Sequence, residues 1–117
     1  MENGKVAITF LPQADGVRKN RPVLVLFRAE PFRDYVVCGI STQLQSAVPG
    51  VDEVLDPESP DFNSSGLVSP SVIRILYLGT VASRDIKGFI GSVSEERFHR
   101  ITTNLALHFR NLRRHPA

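Results

Sequence analysis

Arg21, Ser41 and Thr42 are the side chains whose types and placing best suit chemistry in this chain of 117 residues. Arg21 heads the branched apolar run Pro22 to Phe27, with Arg18 and Lys19 in the turn before it. Ser41, Thr42 and Gln43 form the polar exit of a second apolar run, Tyr35 to Ile40. If the two runs pair as neighbouring strands, Arg21 and Thr42 face one pocket. A guanidinium there brings a permanent charge and a planar fork of donors that matches phosphate oxygens, and a hydroxyl donates to the same group. Those are the parts that stabilise a pentavalent, phosphorane-like transition state. Arg-Pro at a strand start and Ser-Thr at a strand end also occur for structural reasons alone.

Other chemistries find less support. His99, His108 and His115 are spread along a helical stretch, and no Cys or His cluster has ligand spacing, so no metal site or other cofactor is expected. No phosphate-binding Gly-x-x-x-x-Gly-Lys loop, Gly-x-Ser-x-Gly elbow or Gly-rich dinucleotide fingerprint is present. The single cysteine, Cys38, lies in Val36-Val37-Cys38-Gly39-Ile40 and reads as a buried strand thiol. Arg84 falls in a turn outside the expected pocket.

The elements that must position these residues are mostly strands. Lys5 to Leu11 alternates Val6, Ile8 and Phe10 on one side and ends at Pro12, before the turn formers Asp15-Gly16. Pro22 to Phe27 reads as a central strand covered on both faces, with Pro22 at its first position, where a missing N–H costs nothing. Residues 44 to 66 hold three prolines, two glycines and a cluster of acids, and read as a long exposed connection with a short strand near Val51 to Leu55. Val72 to Ala82 and Lys87 to Val93 return to strand character. From Ser94 the period changes to 3.6, with Phe98, Ile101, Leu105, Phe109 and Leu112 on one stripe. Ser94 is the expected N-cap, Glu95 and Glu96 favour the positive end of the helix dipole, and Arg113, Arg114 and His115 the negative end, before Pro116 stops the helix. Arg100, Arg110 and Arg114 should form a basic outer face with Leu107. Strands first and one helix last imply a mainly β (α+β) class: a small barrel plus a C-terminal amphipathic helix.

Length allows a single domain over residues 1–117. The composition, 42% apolar and 22% charged, is that of a globular protein without a membrane span, and the N-terminus lacks the pattern of a secretion signal, so the cytoplasm is expected. The net charge of +2 is unevenly spread: residues 34 to 73 hold six acids and no Lys or Arg, leaving 14 basic residues against six acids elsewhere. That split suits a protein offering a polyanion one basic face, although solvated proteins of other function share it.

Across nearly its whole length the chain resembles the MazF/PemK toxins. The resemblance rests on Gly4-Lys5-Val6 with Phe10 and Pro12, on Arg21-Pro22-Val23-Leu24-Val25-Leu26, and on the Ile40-Ser41-Thr42 exit. It continues through Gly66-Leu67, Ser71-Val72-Ile73-Arg74, Leu78-Gly79-Thr80-Val81 and Ile90-Gly91-Ser92-Val93-Ser94-Glu95-Glu96. It implies an SH3-like barrel with a C-terminal helix, a homodimer, and a metal-independent endoribonuclease acting on single-stranded RNA. It also implies inhibition by a small cognate antitoxin protein whose tail occupies the RNA groove. Arg21 matches the family's principal catalytic arginine and Thr42 its strand-end hydroxyl; Arg18, Lys19, Ser41, Gln43, Ser71 and Arg74 are the expected RNA contacts. Where several members carry a His or Glu before the arginine and an acid ahead of the later arginine, this chain has Asp15, Arg18 and Ser71. Two other readings stay open: a relative that binds RNA without cutting it, and a protein-binding gyrase poison of the similar CcdB fold. The latter depends on an aromatic C-terminal tail, whereas this chain has no Trp and ends Arg113-Arg114-His115-Pro116-Ala117.

Overall fold

The computed structural model describes residues 2–12 and 18–114. Its strands are β1 (Lys5–Pro12), β2 (Arg18–Ala29), β3 (Asp34–Ser41), β4 (Glu53–Leu55), β5 (Ser71–Ala82) and β6 (Ile86–Ser92). A single turn of helix, α1 (Phe62–Ser65), precedes β5, and α2 (Glu95–Arg110) ends the described chain. The strands form one antiparallel sheet in the order β4-β5-β3-β2-β1-β6. The expected small barrel with a helix is therefore present in an open form, with β4 and β6 as the two ends of the sheet.

Strand alternation sorts the apolar residues onto two faces. Val6, Leu24, Leu26, Cys38, Ile40, Leu55, Ile73 and Ile75 pack with Ile101 of α2, flanked by Phe98 and Leu105. Ala7, Val23, Val25, Tyr35, Val37 and Val81 form a second cluster, with Ile86 against it. Both faces of β2 are thus covered from Val23 to Leu26, as its unbroken apolar run requires. Cys38 is fully buried, and burial, helped by the nearby charge of Asp52, pushes its thiol up to about 12.

Three expectations are corrected. β2 begins at Arg18, so Pro22 lies inside the strand and pairs with Ile8; it is tolerated because pairing with β3 starts only at Val23, leaving Pro22 with a neighbour on one side alone. The apolar stripe of α2 enters the core only through Phe98, Ile101 and Leu105, while Phe109 and Leu112 are exposed. The helix ends at Arg110, where the Asn111 N–H closes the last turn on the Leu107 carbonyl, so Arg113 and Arg114 lie beyond it and the basic last turn is His108 and Arg110. A 16-residue helix is about 24 Å long, and its residues 106 to 110 are all exposed. The Asp15-Gly16 turn, His115 and Pro116 lie outside the described residues. At the other end Ser94 caps α2 as expected, its Oγ accepting the Arg97 N–H at 3.1 Å.

Charge ties the β4 end of the sheet to α2. Arg97, on the inner side of α2, donates through Nε to Asp61 Oδ2 (2.8 Å), through Nη2 to Asp61 Oδ1 (3.2 Å), and through Nη1 to Glu53 Oε1 (2.8 Å) and the Val54 carbonyl (3.2 Å). Asp61 also accepts the Ser94 N–H at 3.0 Å. Arg100 joins Glu53 at 3.0 Å, so it belongs to this network and not to a free basic face. Burial works to raise the Asp61 pKa, but the Arg97 hydrogen bonds and charge, with the Ser94 N–H, outweigh it and hold the carboxyl below its usual range.

Gly66 ends α1 at φ 77°, and a Cβ there would run into the Ile90 carbonyl oxygen. Only glycine meets both demands.

Two stability predictions follow from these contacts. Asp61→Asn, which keeps the shape but removes the charge opposite buried Arg97, should lose about 3 kcal/mol in urea unfolding. Because the folded Asp61 pKa is depressed, its contribution is complete above the unfolded value of about 4 and is lost as pH falls through the lower folded value. Midpoints measured from pH 6 to pH 2 should therefore decline less steeply in Asp61→Asn than in the parent. Gly66→Ala should lower the melting temperature, costing at least the ~1–2 kcal/mol of left-handed strain; an unchanged melting temperature contradicts the tight α1–β6 contact.

Candidate nucleic-acid interface

The two strands flanking the proposed pocket are neighbours, as the sequence reading required: β2 and β3 pair from Val23 opposite Gly39 to Ala29 opposite Asp34. Val23 belongs to the cluster on the face that α2 does not cover. Arg21 is two residues before Val23 and Ser41 two after Gly39, so alternation puts both on that same face, just past the last shared rung. Arg21 is half-buried and Thr42 is exposed in the bend that follows β3. Ser41 Oγ accepts the Gln43 N–H at 3.0 Å and keeps its own proton to donate. The Gln43 side chain is exposed and accepts from Gln45 Nε2 at 2.8 Å.

Below Arg21 the floor is built. Its cross-strand partner on β1 is Thr9, fully buried, whose hydroxyl donates to the Asp85 carbonyl at 2.9 Å. The 3-10 turn Ser83–Asp85, which carries Arg84, is thereby held beside the Arg21 rung. Lys19 is exposed and two residues from Arg21, on the same side of β2; Arg18 starts the strand, opposite Pro12.

On the far side of β3 the pairing with β5 carries a large irregularity. Cys38 faces Leu78, but Gly39 faces Arg74, so Ile75, Leu76 and Tyr77 have no partner on β3. Asp52 supports the freed backbone, its Oδ1 accepting the Ile75 N–H (3.3 Å) and its Oδ2 the Val48 N–H (3.0 Å). Arg74 shares the Gly39 rung, and its guanidinium lies 5.2 Å from the centre of the Tyr77 ring. Arg21, Ser41 and Arg74 thus share one face, with Thr42 and Gln43 at its rim. Ser71 does not join them. It pairs with Leu55 on the helix side, is buried, and donates its hydroxyl to the Ser69 carbonyl, so it shapes the approach to β5 and offers no group to a ligand.

Sequence reasoning missed Tyr77, Asp52 and the Arg97 network. Arg97 is four residues before Ile101, which places it on the buried stripe of α2, and the acids upstream are its natural partners. Nothing in the sequence marks the break in the β3–β5 ladder that exposes Tyr77. Depressions along α2, one lined by Glu53, His99, Arg100, Thr103, Asn104 and Leu107, lie on the helix side, away from Arg21.

A family model described as "PemK-like, MazF-like toxin of type II toxin-antitoxin system" matches residues 2–109. Among curated proteins no sequence matches the chain. Solved structures share its fold. An endoribonuclease in complex with its cognate antitoxin from a mycobacterial species is 17% identical with a TM-score of 0.69, covering 97% of this chain and 99% of its own. The Mycobacterium tuberculosis toxin MazF-mt6 is 24% identical with a TM-score of 0.62, at 91% and 96% coverage. A MazE-MazF complex from Deinococcus radiodurans is 14% identical with a TM-score of 0.62, at 93% and 94% coverage. With a family model spanning 2–109 and the Arg-Pro strand beside the Ser-Thr exit, the chain belongs to the PemK-like, MazF-like toxins of type II toxin–antitoxin systems.

Proposed function

We propose that this chain is an endoribonuclease that cuts single-stranded RNA without a metal ion, using the substrate's own 2′-hydroxyl as nucleophile. The observation that supports the reading is the β2–β3 register, which sets Arg21 and Ser41 on one face just past its last rung, with Thr42 in the bend that follows. In the reaction the 2′-oxygen bonds to the adjacent phosphorus as the bond from phosphorus to the 5′-oxygen breaks. One proton leaves the 2′-hydroxyl and one arrives on the 5′-oxygen, giving a 2′,3′-cyclic phosphate and a 5′-hydroxyl. Arg21 holds the non-bridging oxygens with its planar fork while negative charge builds, and Thr42 adds a neutral donor. Lys19, Arg18, Ser41, Gln43 and Arg74 guide the flanking strand.

The same reading makes the protein a cytoplasmic homodimer whose RNA groove is closed by the tail of an antitoxin protein. Two similar structures are by name complexes with an antitoxin. Leu107 and Phe109, exposed in the last turns of α2, and Leu112 just beyond it are apolar surface suited to a second subunit. No described helix is long and apolar enough to cross a membrane.

Arg21 decides the reading. Arg21→Ala should slow cleavage by roughly 10² to 10³-fold while the protein stays folded. Arg21→Lys should rescue poorly, because an ammonium keeps charge but loses the two-pronged fit, and Thr42→Ala should be milder. Arg110→Ala, in the exposed last turn of α2, serves as the control. Single-turnover rates with circular dichroism give the answer; a folded Arg21→Ala protein that cuts normally removes the proposed site.

A further inference from the structure

Tyr77 is a largely exposed aromatic side chain on the face that carries Arg21. It is 60% exposed in the unpaired stretch of β5, yet its position is fixed from two sides. Its ring lies over Gly39 so closely that a Cβ there would sit 2.6 Å from Tyr77 Cδ2, so glycine is what lets the ring lie down on β3. The Arg74 guanidinium lies 5.2 Å from the ring centre, the cation–π range that confines both side chains. Asp52 anchors the stretch from beneath through the Ile75 N–H. Gly39 is two residues, roughly 7 Å, along β3 from Ser41, on the face that carries Arg21.

We propose that Tyr77, held by Gly39 and Arg74, is the stacking seat for an RNA base next to the phosphate held at Arg21. This rests on the single-stranded RNA reading above and deepens it by naming a residue for the base. An unpaired strand exposes base faces, and proteins take them on aromatic rings and guanidinium planes. Every base has such a face, so Tyr77 supplies affinity and register along the groove, not base identity. Phosphate binding by arginines alone leaves the flanking nucleotide free to swing; stacking its base holds the strand in the groove in ground and transition states alike.

The test uses RNA carrying a single 2′-deoxyribose at the mapped cut position, so that it binds without reacting, with 2-aminopurine at the adjoining bases. Binding to the parent should quench the fluorophore at one neighbour of the cut site. Tyr77→Phe should keep both quenching and affinity. Tyr77→Ala and Tyr77→Leu should lose the quenching and weaken binding by roughly 5- to 100-fold. On cleavable RNA the two should raise KM more than they lower kcat, since stacking is made in ground and transition states alike. Leucine is the discriminating variant, because it restores apolar cover over Gly39 without a π face. The inference is overturned if Tyr77→Leu binds and quenches like the parent, or if lost affinity follows lost dimer in sedimentation. A parent that cuts RNA while all three variants behave identically overturns this inference and leaves the endoribonuclease reading intact. A parent that neither binds nor cuts single-stranded RNA overturns both.

Discussion

Arg97 is a buried guanidinium with carboxylates on both sides, and the placement of everything else follows from where it is held. Two charges taken out of water are stable only if geometry and further hydrogen bonds offset their desolvation. Here Asp61 meets the guanidinium with both oxygens, Glu53 and the Val54 carbonyl take the remaining prong, and Ser94 completes Asp61. The partners come from α2, β4 and the segment before α1, so satisfying one arginine ties one end of the open sheet, and the connection that follows it, to the helix. Removing any member strands the others in a dry place.

Once α2 is fixed across the Leu24–Cys38–Ile73 face, no helix among the described residues covers the opposite face. Its middle is sealed by the Val23, Val25, Val37 and Val81 cluster, and its end, where β2 and β3 part, carries the arginine and hydroxyls. A half-buried guanidinium on a strand is positioned more firmly than one on a loop, which matters because transition-state stabilisation depends on donors already in place. The irregularity in the β3–β5 ladder serves the same face. It turns Tyr77 outward at the cost of unpaired backbone, and Asp52 offsets part of that cost.

The sequence made the strands, the helix and its Ser94 cap legible because each has a local signature: period two, period 3.6, or an oxygen one residue before the first helical turn. It also put Arg21 beside the Ser41-Thr42 exit, since consecutive apolar runs tend to pair and both polar ends then fall at one edge. What it hid depends on register and length. Ser71 and Arg74 read as equivalent contacts, yet the pleat sends Ser71 to the helix side and Arg74 to the open face. Phe109 matches the apolar stripe in angle yet is exposed, and Leu112 lies past the helix end at Arg110, because angle says nothing of where packing or the helix stops. Glu53, Asp61 and Asp52 read as a solvated acidic loop, because their partners, Arg97 and backbone N–H groups, are brought to them only by the tertiary fold. Tyr77 escaped for the same reason.

The most direct test of the central claim, that Arg21 works on a phosphate attacked by its own ribose, is the chemical identity of the ends produced. Purified protein is incubated with a long RNA in EDTA, and the fragments are analysed by mass spectrometry and 5′-end mapping. The account predicts cuts confined to unpaired segments, each leaving a 2′,3′-cyclic phosphate and a 5′-hydroxyl, with an RNA carrying 2′-deoxyribose at the cut position left intact. Fragments with 5′-phosphates, cleavage of the deoxy-substituted strand, or activity that vanishes with the chelator would contradict it.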